Sequence, residues 1–253
     1  MRDSNQALTL LKEHWGYEHF RDGQLSIINS ILDKNDTLAL LPTGGGKSIC
    51  FQVPGMALEG VTIVISPLIA LMEDQVRNLR SKGIEASMIT SAMSYREIDI
   101  TLDNARFGRT KFLYTSPERL KSPLFHERFK SMNIGLIVVD EAHVYLKNKN
   151  ARKALEELLR LLRSKGVIVV MLSQGVEDYK TKDFDFASQV KLPICLNIQN
   201  KDYRMIESFV GTPNSKFKLE AEIKKLDSGL GLINLSEPKT ITLRQFWKTI
   251  KDS

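Results

Sequence analysis

The chain has 253 residues, 42% of them hydrophobic and 26% charged, a composition ordinary for a soluble globular protein that can bury a full core. No apolar run approaches the ~20 residues of a membrane span, and the first residues lack a signal-peptide pattern. The chain has two cysteines, Cys50 and Cys195, which exclude a disulfide framework and a multi-cysteine zinc site. We therefore expect a cytoplasmic protein. The net charge of +6 lies wholly in the last 110 residues, which hold 20 Lys and Arg against 13 Asp and Glu; this excess fits DNA or another polyanion as partner, and equally a solvated lysine-rich surface.

Apolar runs separated by helical patterns set out the order of elements along the chain. The run Thr37 to Leu41 predicts a strand, and the apolar-rich segment after Gly46 predicts a helix that begins near Lys47. Apolar and β-branched runs predict six further strands, at residues 61–65, 84–89, 111–115, 134–139, 167–172 and 193–198. Helical patterns lie between several of them, at residues 68–79, 94–107 and 151–164.

The last part of the chain predicts two helices and a hairpin. The helices cover residues 202–210 and 215–226, and the hairpin strands cover residues 230–235 and 240–243, joined by residues 236–239. Because strands alternate with helices, we expect an α/β fold with a mostly parallel sheet, helices on both of its faces and a C-terminal β-hairpin. No linker rich in Gly, Pro or Ser divides the chain, so we expect a single domain over residues 1–253.

The stretch Leu41-Pro42-Thr43-Gly44-Gly45-Gly46-Lys47-Ser48 predicts a phosphate-binding loop between the first strand and its helix. Glycines let the backbone of residues 43–46 curl so that N–H groups point at phosphate oxygens, and the helix adds its positive end. Lys47 would reach the terminal phosphates, and Ser48 would bind Mg²⁺. The strict pattern has Gly where this chain has Leu41. The alternative, a glycine-rich surface turn, is disfavoured because Gly-Lys-Ser stands at a strand-to-helix junction.

Two acidic residues follow a later strand. Asp140 and Glu141 come directly after the run 134–139, and we expect this strand to lie adjacent to the phosphate-loop strand. Asp140 would then hold Mg²⁺ through its waters, and Glu141 would orient or deprotonate an attacking water. Alone the pair is equally typical of surface acids, but with the phosphate loop it predicts ATP or a related nucleoside triphosphate as the ligand. Gln174, after the run 167–172, would sense the γ-phosphate, or it is a satisfied loop residue.

The segment Tyr17-Glu18-His19-Phe20-Arg21-Asp22-Gly23-Gln24 combines aromatic rings with an amide that carries both a donor and an acceptor. This segment, the phosphate loop, the acid motif Asp140-Glu141-Ala142-His143 and two Ser-Pro motifs resemble, in order, the first motor domain of RecQ-family DNA helicases over residues 1–143. The resemblance implies a RecA-like P-loop NTPase fold. It also accounts for Leu41, since a first residue other than Gly is usual in that family. The residues that it implies in gripping adenine are Tyr17, Phe20, Arg21 and Gln24.

The two Ser-Pro motifs are Ser66-Pro67-Leu68-Ile69-Ala70-Leu71-Met72 and Thr115-Ser116-Pro117-Glu118-Arg119-Leu120. The resemblance implies that they contact a nucleic-acid strand through hydroxyls, backbone N–H groups and a guanidinium, without reading sequence. The implied contact residues are Ser66, Pro67, Thr115, Ser116 and Arg119. The alternative is that Ser-Pro and Thr-Ser-Pro merely end strands, where turn chemistry favours them. His143 is implied to couple the nucleotide state to a neighbouring element, or it caps the end of the strand.

The resemblance to RecQ helicases stops after His143. Residues 144–150 stand where that family has an aromatic-rich loop, and Ser173-Gln174 stands in place of its Thr-Ala-Thr-type motif. No second motor domain with an arginine finger and no zinc domain follows, so we do not expect this chain to separate strands alone. Residues 144–253 more loosely resemble the closing half of HerA- or FtsK-type DNA-pumping ATPases, and we expect this basic half to complete the sheet.

The favoured hypothesis is an ATP-hydrolysing nucleic-acid motor domain that uses ATP and Mg²⁺ and binds single-stranded or partly duplex DNA. Its arginine finger would come from a second motor domain or another subunit of a homo-oligomer. Arg160 and Arg163 are weak candidates that fit surface positions better. The alternative hypothesis is a nucleotide-binding scaffold with little turnover. A small-metabolite kinase also fits a phosphate loop, but it leaves the adenine-grip and strand-contacting motifs without a purpose.

Overall fold

The computed structural model describes residues 2–21, 23–41, 46–141, 153, 167–173, 192–195, 230–234 and 238–242. The strands in these ranges are, in chain order, β1 Thr37–Leu40, β2 Val61–Ile65, β3 Ala86–Ile89, β4 Phe112–Thr115, β5 Ile134–Val139, β6 Ile168–Ser173, β7 Leu192–Cys195, β8 Leu230–Asn234 and β9 Pro238–Thr242. The helices are α1 Arg2–Trp15, α2 Gln24–Leu32, α3 Lys47–Ala57, α4 Ile69–Ser81, α5 Tyr95–Arg106 and α6 Pro123–Lys130, with a 3₁₀ helix at Pro117–Lys121.

The strands form one sheet in the order β3-β4-β2-β5-β6-β1-β7-β8-β9. Strands β1 to β7 pair in parallel, and β8 and β9 add an antiparallel hairpin next to β7. This confirms the predicted mostly parallel sheet with a C-terminal hairpin. Because all seven parallel strands point the same way, their carboxyl ends lie along one edge of the sheet, where ligand sites of such folds form.

One expectation about the sheet was wrong. We expected the acid strand to lie adjacent to the phosphate-loop strand, but β6 lies between them and pairs with both β1 and β5. An apolar run predicts that a strand is buried, but it does not indicate which strands pair with it. The sequence pattern therefore could not predict the order β5-β6-β1. The carboxyl end of β6 therefore lies between the two motifs.

Both faces of the sheet are covered. Successive residues of a strand point to opposite faces. Val64, Tyr114, Leu136 and Val138 belong to one buried core together with residues of α2, α3 and α4. The residues that alternate with them, such as Leu113, Ile137 and Val139, are equally buried. Such two-sided burial explains why these strands appear in the sequence as nearly continuous apolar runs.

Helices α1 and α2, which the sequence analysis did not predict, pack on the helix of the phosphate loop. Ala7 and Leu11 of α1, Ile28 of α2, and Ile49 and Val53 of α3 form a second, smaller apolar cluster. The adenine-grip segment connects α1 to α2. Its position beside the phosphate loop therefore follows from this three-helix contact.

Most predicted elements occur within a few residues of their predicted bounds. Helix α5 begins after Ser94, whose hydroxyl accepts a hydrogen bond from the backbone N–H of Glu97 while the Glu97 carboxylate accepts one from the backbone N–H of Ser94. Strand β9 begins at Pro238, so the hairpin connection is shorter than predicted. The helices predicted at 202–210 and 215–226, and at 151–164 apart from residue 153, lie outside the described residues. Within the described part of the chain, no helix has the length and apolar character needed to cross a bilayer.

Candidate nucleotide and nucleic-acid site

The described residues of the predicted phosphate loop, Leu41 and Gly46 to Ser48, lie between β1 and the start of α3. Gly46 precedes the helix in a left-handed conformation with φ of +71°, which glycine adopts without steric cost. Lys47 and Ser48 are the first two residues of α3. Both therefore lie at the positive end of the helix dipole, where an anion is stabilised. Thr43, Gly44 and Gly45 lie outside the described residues.

Lys47 and Glu141 form an ion pair between the phosphate loop and the acid motif. The ammonium Nζ of Lys47 contacts Oε1 of Glu141, and each side chain is only 13% exposed. The two motifs are thus brought together across the end of β6, as the sequence analysis predicted for a shared site. Glu141 itself has a left-handed backbone with φ of +49°, a conformation that is uncommon for residues other than glycine and that clusters at functional sites.

Asp140 is buried at the end of β5, with only 4% of its surface exposed. Its backbone N–H donates to the carbonyl oxygen of Ile65, and its Oδ1 accepts a hydrogen bond of 3.0 Å from the N–H of Glu141. Burial, with the nearby charge of Glu141, raises the pKa of Asp140 to about 6, although Lys47 and the hydrogen bond from Glu141 act in the opposite direction. A buried carboxylate of this kind is stabilised by a cation, so the donor set of Asp140 and the Ser48 hydroxyl fits Mg²⁺.

The adenine-grip segment docks on the phosphate loop through Gln24. The Gln24 amide nitrogen Nε2 donates to the carbonyl oxygen of Gly46 at 3.2 Å, and its Oε1 accepts from the backbone N–H of Arg21 at 2.9 Å. A Cβ atom at Gly46 would lie 2.3 Å from Gln24 Nε2, the far end of a flexible side chain, so a larger residue here would displace the Gln24 amide. Phe20 packs on the cluster between α1, α2 and α3, whereas Tyr17 is half exposed. Of the two rings, Tyr17 is therefore the one more accessible to a base.

The two Ser-Pro motifs lie side by side at the ends of β2 and β4. The N–H of Ser66 donates to the carbonyl oxygen of Thr115 at 3.0 Å. The side chains of Ser66 and Thr115 are buried, because they close the ends of strands that are covered on both faces. In this conformation neither hydroxyl faces solvent. Neither side chain can therefore make the contact with nucleic acid that the resemblance implies.

The remaining residues of these motifs are more accessible. Pro67, Ser116 and Arg119 are partly exposed, and Leu68 next to Pro67 is largely exposed. Arg119 uses one of its nitrogens within the fold, since Nη2 donates to the carbonyl oxygen of Thr90 at 3.1 Å. The accessible part of the predicted strand-contacting surface therefore consists of Pro67, Ser116 and Arg119. The roles predicted for His143, Gln174, Arg160 and Arg163 stay predictions, because these residues lie outside the described part of the chain.

The sequence analysis missed a buried polar cluster beside this site. Gln52 of α3, Gln75 of α4 and Tyr114 of β4 are joined by hydrogen bonds. One sequence signal was available, because Gln52 is an amide within the apolar stretch Ile49 to Met56. A buried amide requires a hydrogen-bonding partner, although the sequence does not indicate which residue supplies it.

Comparison with known proteins shows that the chain is similar to helicases. Residues 21–181 match the family model of DEAD/DEAH box helicases. A probable ATP-dependent DNA helicase RecS of Bacillus subtilis is 47% identical over 134 residues, which are 53% of this chain and 27% of the relative. An ATP-dependent DNA helicase RecQ of Haemophilus influenzae is 34% identical over 222 residues, which are 87% of this chain and 34% of the relative. The chain thus spans between a quarter and a third of the length of these curated relatives.

Similarity to a RecQ helicase over 222 residues must extend well beyond residue 143, where we expected it to stop. No comparison tests the looser resemblance of residues 144–253 to HerA- and FtsK-type ATPases, which stays a prediction. Among solved structures, the DUF1998 helicase MrfA bound to DNA aligns with a TM-score of 0.59 at 19% identity, over 75% of this chain and 29% of that chain. At this identity the likeness shows the fold alone.

Proposed function

Because the chain belongs to the DEAD/DEAH box helicase family, as the resemblance of its motifs to RecQ-type helicases predicted, we propose that it binds ATP with Mg²⁺, hydrolyses it and serves as the motor domain of a DNA helicase. The observation that carries this proposal is the ion pair of Lys47 and Glu141 beside the buried Asp140. A phosphate-binding cation, a candidate base and a candidate metal ligand thus meet at one edge of the sheet.

Lys47 and the first turn of α3 bind the phosphates. The Lys47 ammonium must leave Glu141 to do so, because the Glu141 carboxylate and the phosphates compete for the same positive charge. Release of Lys47 frees the Glu141 carboxylate to orient a water and accept its proton while the water oxygen attacks the terminal phosphorus. The bond from that phosphorus to the bridging oxygen breaks, and the diphosphate leaves. The Glu141 carboxylate and the phosphates are therefore alternative partners of the Lys47 ammonium.

Asp140 and Ser48 are the residues that would hold Mg²⁺. When bound, Mg²⁺ supplies positive charge that offsets the charge of the phosphate oxygens. Asp140 contributes a carboxylate whose position is fixed by its backbone hydrogen bond to Ile65 and by the N–H of Glu141. Since the pKa of Asp140 is raised to about 6, the group is ionised at neutral pH but is more easily protonated than an exposed aspartate.

The segment from Tyr17 to Gln24 supplies the preference for adenine. Tyr17 offers an accessible ring face for the base, and the Gln24 amide can exchange its contacts with Arg21 and Gly46 for the base edge. Phe20 supports the segment by packing on the helices. The contact of Gln24 with Gly46 links adenine recognition to the loop that holds the phosphates.

The nucleic-acid strand binds at the ends of β2 and β4. Pro67, Ser116 and Arg119, together with nearby backbone N–H groups, offer contacts to phosphates, which bind without sequence preference and weaken with added salt. We assign single-stranded or partly duplex DNA as the partner, in line with the relatives named as DNA helicases. An arginine finger from a second motor domain or a second copy of the chain would complete hydrolysis.

The proposal is tested by ATPase assays with and without single-stranded DNA over a range of protein concentrations. We expect DNA to stimulate turnover, and a steep dependence on protein concentration would identify an arginine supplied in trans. Nucleotide binding without turnover at any concentration would instead support the alternative of a nucleotide-binding scaffold. Absence of ATP binding would contradict both.

A further inference from the structure

Three polar side chains form a closed cluster beneath the candidate site. The Tyr114 hydroxyl donates to Oε1 of Gln75 at 2.8 Å, and Nε2 of Gln52 lies 3.3 Å from both the Tyr114 oxygen and Gln75 Oε1. Tyr114 is fully buried and Gln52 nearly so. Tyr114 and Gln52 therefore cannot replace a lost partner with bulk water and depend on the other members of the cluster for their hydrogen bonds.

Each member of the cluster is close in sequence to a different part of the site. Gln52 lies on α3, about one and a half helical turns after Lys47. Gln75 lies on α4, the helix that directly follows the motif at Ser66-Pro67. Tyr114 directly precedes Thr115 at the end of β4. The three hydrogen bonds thus connect the helix that bears the phosphate-binding lysine to both strand-contacting motifs.

The cluster contains one short hydrogen bond and two longer ones. The bond between Tyr114 and Gln75 has an ordinary O–H···O length, whereas both contacts of Gln52 exceed the usual N–H···O range of about 2.7–3.2 Å. The hydrogen bond between α4 and β4 is therefore shorter than the two that join α3 to them, although α3 itself packs closely on β4, where a Cβ atom at Gly55 would lie 2.9 Å from the ring of Phe112. A small displacement of α3 can tighten or release its two contacts without separating α4 from β4.

We propose that Gln52, Gln75 and Tyr114 form a positioning unit through which nucleotide binding at the start of α3 and strand binding at the ends of β2 and β4 strengthen each other. The inference rests on the proposed function. Nucleotide draws Lys47 away from Glu141 and shifts α3, and the shift brings Gln52 within full bonding distance of Tyr114 and Gln75. The α4–β4 pair then presents Pro67, Ser116 and Arg119 in the arrangement that binds a strand. The three residues act through other groups and touch neither ligand.

The negative charge of Asp140 also reaches this cluster. It adds to the effect of burial in raising the pKa of the Tyr114 hydroxyl. The hydroxyl thus remains protonated and keeps its role as donor to Gln75. Tyr114→Phe removes this donor while preserving the buried ring, and Gln75→Ala removes the acceptor from a partly exposed position. Gln75→Ala provides a second route if loss of the Tyr114 hydroxyl impairs folding.

The test measures the affinity of the chain for a fluorescein-labelled oligo-dT strand, with and without a non-hydrolysable ATP analogue and Mg²⁺. For the parent protein we expect the analogue to tighten strand binding between about 5- and 150-fold, the range typical of coupled sites. In Tyr114→Phe and Gln75→Ala we expect the ratio of strand affinity with the analogue to strand affinity without it to fall close to one. Affinity for the analogue in the absence of DNA should change less than about threefold, since neither residue touches the nucleotide.

Ser30→Ala is the matched control. It removes another buried hydroxyl that is hydrogen-bonded to a side chain, Thr37 Oγ1 at 2.9 Å, but it lies on α2, which contributes no residue to this cluster. We expect it to keep the parent ratio, and thermal unfolding identifies variants that have not folded. A merely structural role of the cluster would lower stability and leave the ratio unchanged, which overturns the inference.

The outcomes also separate this inference from the proposed function. A parent protein that binds both ligands with a ratio of one would refute the positioning unit and leave the proposed function intact. A parent protein that binds neither ligand would overturn the proposed function and the inference together. Loss of the ratio in both variants, with nucleotide affinity retained, supports the positioning unit.

Discussion

Lys47 and Glu141 are 94 positions apart along the chain, yet their side chains form an ion pair from which solvent is largely excluded. Because β6 separates the strands that precede them, the contact depends on side chains that reach across the end of an intervening strand. The ion pair therefore joins the lysine of the phosphate loop to the residue that we propose to orient the attacking water.

Replacement of Lys47 by Ala should abolish ATP binding or turnover. The variant lacks the one charged side chain in the first turn of α3, the turn that we propose to bind the phosphates. Lys34→Ala is the control, since Lys34 is an exposed lysine near the amino end of β1, away from the phosphate loop. Fluorescence titration with a labelled ATP analogue and a phosphate-release assay measure the two effects. Unchanged affinity and hydrolysis in Lys47→Ala would remove the basis for the site assignment.

Glu141→Gln should separate binding from turnover. The variant keeps the size of the side chain but cannot accept a proton, so we expect turnover to fall by about 10²- to 10⁴-fold. Nucleotide affinity should be equal to or tighter than that of the parent, because Lys47 no longer has to leave a carboxylate. The same two assays measure both quantities. A variant that hydrolyses ATP at the parent rate would show that Glu141 is not the base.

Asp140→Asn should stabilise the ligand-free protein at neutral pH. Folding raises the pKa of Asp140 from its ordinary value of 3.8 to about 6, so between these values the folded chain binds more protons than the unfolded chain. Stability therefore falls as pH rises through this window, and the ionised carboxylate is a net cost above it. At pH 7.5 we expect the variant to gain about 2–3 kcal/mol in the free energy of unfolding, since one unit of pKa corresponds to about 1.4 kcal/mol.

Urea unfolding in EDTA, without nucleotide, measures this effect. The gain should shrink towards zero near pH 4, where the folded parent protein already carries a neutral Asp140. Asp74→Asn is the control, because Asp74 is exposed on α4 and makes only a long surface ion pair with Arg77, so its effect should stay within about 0.5 kcal/mol at both pH values. An Asp140→Asn variant less stable than the parent at pH 7.5 would contradict the prediction.

Gly135→Ala should destabilise the fold from the opposite edge of the sheet. A Cβ atom at Gly135 would lie 1.9 Å from the carbonyl oxygen of Glu59, a backbone atom that cannot move aside cheaply. We expect a loss of about 3 kcal/mol or more in the free energy of unfolding. Gly108→Ala is the contrast, because Gly108 has a positive φ but no atom within 4 Å of the added group, so only the backbone cost of about 1–2 kcal/mol applies. Equal losses in the two variants would show that the close approach at Gly135 is not tight.

The sequence predicted most of the sheet and the centre of the site for a clear physical reason. Strands covered on both faces are apolar at nearly every position, so β2 and β5 appear as apolar runs interrupted only by Thr62 and Gly135, and each is followed by a polar residue, Ser66 or Asp140. The phosphate loop is equally local, since its glycines and the start of α3 follow one another directly. The predicted family resemblance was confirmed because it rests on such local motifs.

What could not be predicted depends on residues distant in sequence. The position of β6 between β1 and β5 follows from pairing between strands that are far apart along the chain. The burial of Ser66 and Thr115 is set by the elements that cover them, although their motif suggested exposed hydroxyls. The bond between Gln52 and Tyr114 spans 62 positions, and neither residue belongs to a recognised motif. The cluster of Gln52, Gln75 and Tyr114 is therefore recognised only in the three-dimensional structure.

The order of strands in the sheet also determines when the nucleotide site can form during synthesis. Strands β2, β3, β4 and β5 are consecutive along the chain and lie together in the sheet, so they can pair as soon as they leave the ribosome. Strand β1 is made first, but its neighbours β6 and β7 are made well over a hundred residues later, and Thr37 pairs with Val170. Such long-range pairing forms slowly because a long loop must close first. The predicted phosphate loop is thus translated early, and its strand gains the neighbours β6 and β7 only after β2 to β5 have been made.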